Sequence, residues 1–129
     1  MTKIKLKTIL LFSIIYSVFF TNFLFANSAT FNSHTNTVEL PCVRISQNGA
    51  ILNLCYPVNM VIQGSGLLIT EISNPYTTPV ESDDQVFYAD NRTIYIPVIH
   101  VLDNDYTVEL QFTDTDLFLE ILSVYEISH

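Results

Sequence analysis

A histidine facing a carboxylate is the arrangement in this sequence that comes nearest to catalytic chemistry. His100 lies in an alternating apolar segment, and a hairpin centred on Asn104 and Asp105 would place it opposite Glu109. Such a pair can act as a general base or bind a metal ion. No nucleophile or third group accompanies the pair, and no G-x-S-x-G turn occurs. We therefore expect a polar pair on the outer face of a sheet and no enzyme activity.

Carboxylates at the ends of predicted strands form a second candidate site. Asp90 precedes one strand of this hairpin, and Asp114 and Asp116 follow its partner strand, so all three are expected at the same end. Calcium binds clusters of several oxygen ligands, which makes these residues candidate ligands for an extracellular Ca²⁺ ion. The sequence contains no D-x-D-x-D-G loop, and turn acids also serve simply to keep a protein soluble. We predict no cofactor, with calcium as the alternative.

The two cysteines are expected to form a disulfide. Asn48-Gly49 favours a type I′ hairpin turn, because both central residues of that turn need positive φ. The resulting register places Cys42 opposite Cys55 at a non-hydrogen-bonded position, where side chains lie closest. The same register places Arg44 opposite Asn53 on the outer face. In the chain-entropy model the bridge contributes about 3 kcal/mol. An intermolecular bridge is the alternative.

The N-terminus has the layout of an export signal. Lys3, Lys5 and Lys7 precede an apolar stretch over residues 9–25, and Ala26 closes it. This predicts a signal peptide over residues 1–26 and a single β-domain over residues 27–129. The alternative is an uncleaved membrane anchor, since the stretch could nearly span a bilayer. In both cases the domain is secreted, periplasmic or exposed at the cell surface, where a disulfide is stable.

Charge excludes two classes of partner. The 103 residues after the predicted signal contain Arg44 and Arg92 as their basic residues, whereas all 13 acids of the chain lie there. The formal charge of this part is −11. A nucleic-acid binder, or a protein attracted to anionic membranes, needs a basic surface. We therefore predict no nucleic-acid partner, and no membrane contact after signal cleavage.

The domain contains two similar halves, over about residues 30–73 and 86–128, joined by an acidic linker over residues 74–85. Residues 37–45 match residues 93–101 at an offset of 56, including Pro41 and Pro97. Continuing the alignment at nearly the same offset matches Tyr56 with Phe112. Each half predicts strand, tight turn, strand, link and strand. Residues 117–127 are expected to form a bulged strand, a partly helical segment being the alternative.

This pattern predicts an all-β fold. We expect a small antiparallel β-sandwich or flattened barrel of about 6–8 strands, built from the two similar hairpin-plus-strand repeats. The expected core consists of the apolar residues on one face of the two hairpins: Val43, Ile45, Leu52, Leu54, Tyr56, Ile99, Val101, Val108, Leu110 and Phe112.

One segment resembles a known group of proteins. Residues 93–112 are similar to a stretch of small secreted bacterial β-domain proteins of unknown function, which has the pattern L-x-I-P-x-V-x-V, a short turn and Y-x-V-x-L. Here Ile94 replaces the first leucine, and Asp103-Asn-Asp105 replaces a glycine-containing turn. The resemblance implies a secreted β-domain and no particular activity.

These observations favour a non-enzymatic secreted or periplasmic β-domain that functions in binding or assembly. Its partner would be a protein or a surface ligand. The alternatives are a subunit of a surface assembly or an oligomer that pairs through exposed β edges, and a calcium-stabilised extracellular module. A small hydrolase that uses His100 and Glu109 is a further alternative.

Overall fold

The computed structural model describes residues 27–115 and 117–128. The predicted signal peptide, Asp116 and His129 lie outside these residues. The described chain forms ten strands and no helix, which confirms the all-β prediction. The strands are β1 (Ala29–Asn32), β2 (Thr37–Gln47), β3 (Ala50–Ile51), β4 (Leu54–Gln63), β5 (Gly66–Ile72), β6 (Tyr76–Thr77), β7 (Gln85–Tyr88), β8 (Thr93–Val101), β9 (Asn104–Phe112) and β10 (Phe118–Glu126). In this part of the chain, no helix is long and apolar enough to cross a membrane.

Seven of the strands close into a mixed β-barrel. Its circuit runs β1-β2-β4-β5-β10-β9-β8 and returns to β1. Strands β1 and β7 both lie between β2 and β8, each antiparallel to the strand that follows it in sequence. As a result, each is parallel to the long strand of the other half. The barrel is thus closed by two short strands that connect its halves.

The two halves have the same strand pairings. Val43 pairs with Gln85, and the positions 56 residues later and earlier, Ile99 and Ala29, also pair. The ladders β2/β4 and β8/β9 are each interrupted at the corresponding point, around Pro41 and Pro97. Proline has no backbone N–H to donate to a ladder, which accounts for both interruptions.

Beyond the hairpins, the correspondence differs from the sequence alignment. The first hairpin contains an extra segment with β3, so β4 corresponds to β9 at a separation of 50 residues. Tyr56 therefore corresponds to Tyr106, and Phe112 corresponds to Ile62. Strand β5 corresponds to β10 at a separation of 52 residues, and both strands are irregular at the same point. The bulged-strand prediction for the C-terminal segment is confirmed.

The first hairpin follows its predicted turn. Asn48 and Gly49 have φ of 54° and 82°, and Gln47 pairs with Ala50. In the second hairpin the predicted turn is wrong. Its loop is Leu102-Asp103, because Val101 pairs with Asn104. This register places Ile94 opposite Leu110 and Ile96 opposite Val108, so burial of the apolar face outweighs the turn preference of Asn-Asp.

The core lies between the walls of the barrel and is shifted from the expected set. Of the ten expected residues, Val43, Ile99 and Leu110 are buried, and four more are partly buried against the core. Leu52 is exposed, so that part of the prediction is wrong. The most deeply buried apolar side chains follow the barrel register instead: Leu40, Met60, Ile96, Leu110 and Leu119.

Candidate functional site

The predicted disulfide joins Cys42 to Cys55, with their Cα atoms 4.6 Å apart. Both residues are completely buried. Asp84 lies close to the two sulfur atoms, but sulfurs that are bonded to each other offer no thiolate to a metal ion. This cluster is therefore structural.

The acidic linker is not the solvated segment that its composition suggests. Asp84 is buried and accepts a hydrogen bond from Arg44 Nε at 2.6 Å. The Arg44 guanidinium also donates to the carbonyl oxygens of Thr78 at 2.9 Å and Pro79 at 2.6 Å. Arg44 itself is fully buried, so its predicted position opposite Asn53 on the outer face is wrong. A register shift after the first hairpin turn and the overlying linker enclose it.

The same network holds the first described residues. The Asn27 side chain donates to Asp84 at 2.7 Å, and the Ser28 hydroxyl donates to Asp83 at 3.2 Å. Gln85, also buried, donates to the Asn27 carbonyl at 2.7 Å and accepts from the Cys42 amide at 3.2 Å. The start of the domain, the linker and the disulfide are thus one hydrogen-bonded unit.

Tyr76 lies at the margin of this network. Desolvation by burial raises the pKa of Tyr76, and the negative charge of Asp84 raises it further, while Arg44 acts in the opposite direction. The Tyr76 hydroxyl lies 3.4 Å from the Pro41 carbonyl oxygen, to which it donates.

The histidine pair differs from the predicted one. His100 faces Asp105, with Nδ1 and Oδ1 2.5 Å apart, because the hairpin loop lies two residues earlier than expected. Glu109 faces Tyr95. His100 and Asp105 are both partly exposed on the outside of the sheet. The predicted His100–Glu109 pair is therefore wrong, and a histidine–carboxylate pair forms with a different acid.

The described calcium candidates lie at one end of the second hairpin, as the sequence suggested. Asp90 is in the turn between β7 and β8, and Asp114 follows β9; both are exposed. Arg92 lies between them in sequence and approaches Asp114 at 3.9 Å. Asp116 is outside the described residues.

A larger feature, which the sequence did not predict, is an apolar groove of about 390 Å³ at one end of the barrel. Its polar side chains are the hydroxyl groups of Ser65 and Tyr106. The lining residues are Phe31, Val38, Ile62, Gly64, Ser65, Gly66, Leu67, Ile96, Ile99, Val101, Tyr106, Val108, Leu110, Ile121 and Val124. Ile62, Ile121 and Val124 remain exposed, so the groove is open to solvent.

The groove opens where two strands separate. Strand β10 pairs with β5 at three positions, and the last of them joins Glu120 to Gly66. From Ile121 onward β10 continues along β9, past the turn between β4 and β5. The close approach at the seam depends on Gly66, since a Cβ there would overlap the Leu119 carbonyl oxygen and lie 2.7 Å from the Phe118 ring.

The corresponding region of the other half is filled. Phe112 corresponds to Ile62, and Phe87 corresponds to Phe31. The two phenylalanine rings pack edge to face, with their centroids 5.5 Å apart. Beside the groove, by contrast, Phe31 has the smaller Ile62 as its counterpart. This difference was visible in the sequence only once the correct correspondence of the strands was known.

Comparison with known proteins finds no matching family model, no matching curated protein and no matching solved structure.

Proposed function

We propose that this protein is a secreted or periplasmic binding module, without enzymatic activity, that takes up an apolar group in the groove at the open end of its barrel. The carrying observation is the groove itself. Its volume of about 390 Å³ falls within the range of ligand sites, and its lining is almost wholly apolar. Exposed apolar side chains gathered in one concave surface typically mark a binding site.

Export is supported by two independent features. The N-terminal sequence has a basic start and an apolar stretch, and the Cys42–Cys55 disulfide is compatible with an oxidising extracellular environment. The calcium-stabilised alternative has weaker support, because Asp114 lies next to a cation, Arg92.

The two halves supply a built-in comparison. We infer that they arose by duplication, on the basis of their matching registers and interruptions. One half has kept the aromatic filling of Phe87 and Phe112, whereas the other has Ile62 in place of the second ring. A groove that is open in one half alone is consistent with a specialised role for that end.

A neutral apolar dye, N-phenyl-1-naphthylamine, tests the proposal by its fluorescence on binding. We expect Val124→Asp to weaken dye binding at least about tenfold, because a carboxylate would have to be desolvated inside the groove. Ile72→Asp is the matched control. Ile72 corresponds to Val124 in the other half and is 53 % exposed against 51 %, but it does not line the groove.

A second variant tests the groove by volume. Ile62→Phe introduces the side chain that the other half carries at the corresponding position, and we expect it to reduce dye binding while the protein stays folded. Absence of dye binding to the unaltered protein, or equal losses in Val124→Asp and Ile72→Asp, would overturn the proposal.

A further inference from the structure

Strand β10 has a free edge beside the groove. On one side, residues 121–126 pair with β9; on the other side, pairing with β5 ends at Glu120. Along residues 121–126, no strand of the described chain pairs with this second side. Unpaired N–H and C=O groups along such an edge are a template for an additional strand.

The hydrogen-bond phase shows which backbone groups point outward. The Ile127 amide donates to the Asp105 carbonyl at 2.8 Å, so these two residues form a hydrogen-bonded pair with β9. Hydrogen-bonded and non-hydrogen-bonded pairs alternate along an antiparallel ladder. Val124 and Glu126 therefore occupy non-hydrogen-bonded positions, and their N–H and C=O groups point away from β9, toward the free edge.

The side chains at these two positions are on the face that carries the groove. Val124 pairs with Val108, and Glu126 pairs with Tyr106; Val124, Val108 and Tyr106 all line the groove. Directly paired residues present their side chains to the same face of a sheet. A strand added along this edge would place one side chain opposite Val124, over the groove, and another opposite Glu126.

Charge identifies the character of that strand. In the described residues the basic side chains other than histidine are Arg44, which is fully buried, and Arg92, which lies beside Asp114. The formal charge of residues 27–129 is −11, so a second copy of this chain would bring a like charge to the edge. Like charges oppose association, whereas a basic segment would meet a complementary surface.

Building on the binding role assigned to the groove above, we propose that its occupant is an extended, basic segment of a partner protein. The segment pairs with the free edge of β10, places an apolar side chain in the groove and sets a lysine or arginine against Glu126. The backbone hydrogen bonds supply affinity, and the groove and the carboxylate supply selectivity, as in other cases of strand addition.

The test uses a synthetic peptide, acetyl-Thr-Lys-Thr-Leu-Thr-Lys-Thr-amide, which presents leucine and a flanking lysine on one face in either strand direction. Binding is followed by fluorescence anisotropy of a labelled peptide and by hydrogen exchange of the protein amides. We expect the amides of Val124 and Glu126 to become protected. N-methylation of the leucine and lysine nitrogens should weaken binding about tenfold, because it removes the ladder hydrogen bonds. Replacing both lysines by glutamate should weaken it by about the same factor.

Protein variants separate the edge from the groove. Val124→Pro removes an outward-pointing N–H and leaves the β9 ladder intact, so it should weaken peptide binding relative to Val124→Thr, which keeps that N–H. Glu126→Gln should weaken peptide binding but leave binding of the neutral dye unchanged.

The possible failures are distinguishable. If the dye binds and the peptide does not, or if the N-methylated peptide binds equally well, strand addition is wrong while the groove's binding role stands. If neither dye nor peptide binds, the proposed function itself is wrong. A concentration-dependent dimer that Val124→Pro abolishes would replace the basic partner with a second copy of this chain.

Discussion

Replacing Asp84 by asparagine removes the charge that faces the Arg44 guanidinium and keeps the shape of the side chain. Both side chains are at most 1 % exposed, and Nε lies 2.6 Å from the carboxylate. Removing one partner of a buried ion pair typically costs about 3–5 kcal/mol, because the other charge is left uncompensated. We expect a loss near about 3 kcal/mol, since the carbonyls of Thr78 and Pro79 still bind the guanidinium.

Arg44→Met is expected to cost more, about 4 kcal/mol, because it leaves a buried carboxylate and two carbonyl oxygens without their donor. Asp84 would keep hydrogen bonds from the Asn27 side chain and the Glu81 amide, which limits the loss. In the double variant both charges are gone. Its loss should therefore be smaller than the sum of the single losses, with a coupling of about 2 kcal/mol.

Urea unfolding of the protein with its disulfide intact measures all three values. The matched control is the exposed pair of Arg92 and Asp114, whose side chains are 55 % and 107 % exposed at a separation of 3.9 Å. Arg92→Met and Asp114→Asn should produce no measurable change, since solvent screens such pairs. Single losses below about 1 kcal/mol at Arg44 and Asp84, with no coupling, would refute the reasoning.

Three further predictions concern single positions. Leu102 has φ of 57° and is 82 % exposed, so Leu102→Asn should raise the free energy of unfolding by about 1 kcal/mol; a lower urea midpoint would contradict this. Gly66→Ala should lower it by about 3 kcal/mol, because the new Cβ collides with backbone at the β5/β10 seam; unchanged stability would show that the seam can shift. The pKa of Tyr76 is raised in the folded state above its ordinary value of 10.0, so its contribution to stability is present below pH 10 and lost as the pH rises through the folded-state pKa. Tyr76→Phe should therefore show a smaller alkaline loss than the unaltered protein in unfolding measured across this range, and identical profiles would contradict the assignment.

Local sequence patterns were sufficient for the features that depend on neighbouring residues. The Asn48-Gly49 turn determined the start of the first hairpin, and that start brought Cys42 and Cys55 together. The second hairpin was harder. Its turn residues favour Asn104-Asp105, but the apolar face of β8 packs well only when Leu102 enters the loop with positive φ. Long-range packing therefore decided a register that turn chemistry alone had misplaced.

The buried ion pair and the groove depend on strands that are distant in sequence. Alternation predicted an outward-facing Arg44, and only the folded linker that carries Asp84 encloses it. A signal was nevertheless present: one of two basic residues in a lysine-free domain stands within an apolar strand. The groove required knowing that Ile62 corresponds to Phe112, which follows from barrel pairing and not from linear alignment.

The placement of β1 and β7 has a consequence for the order in which this protein folds. Strand β1 completes its pairing only with Ile99 and His100, about 70 residues further along the chain. Closing such long loops before contacts form slows folding. A chain that emerges from its N-terminus can form the Asn48-Gly49 hairpin and the Cys42–Cys55 bond early, because both lie within β2–β4. The barrel itself cannot close until β10 has emerged, so the oxidised hairpin is the first part of the native structure available and the interlocked halves complete it together.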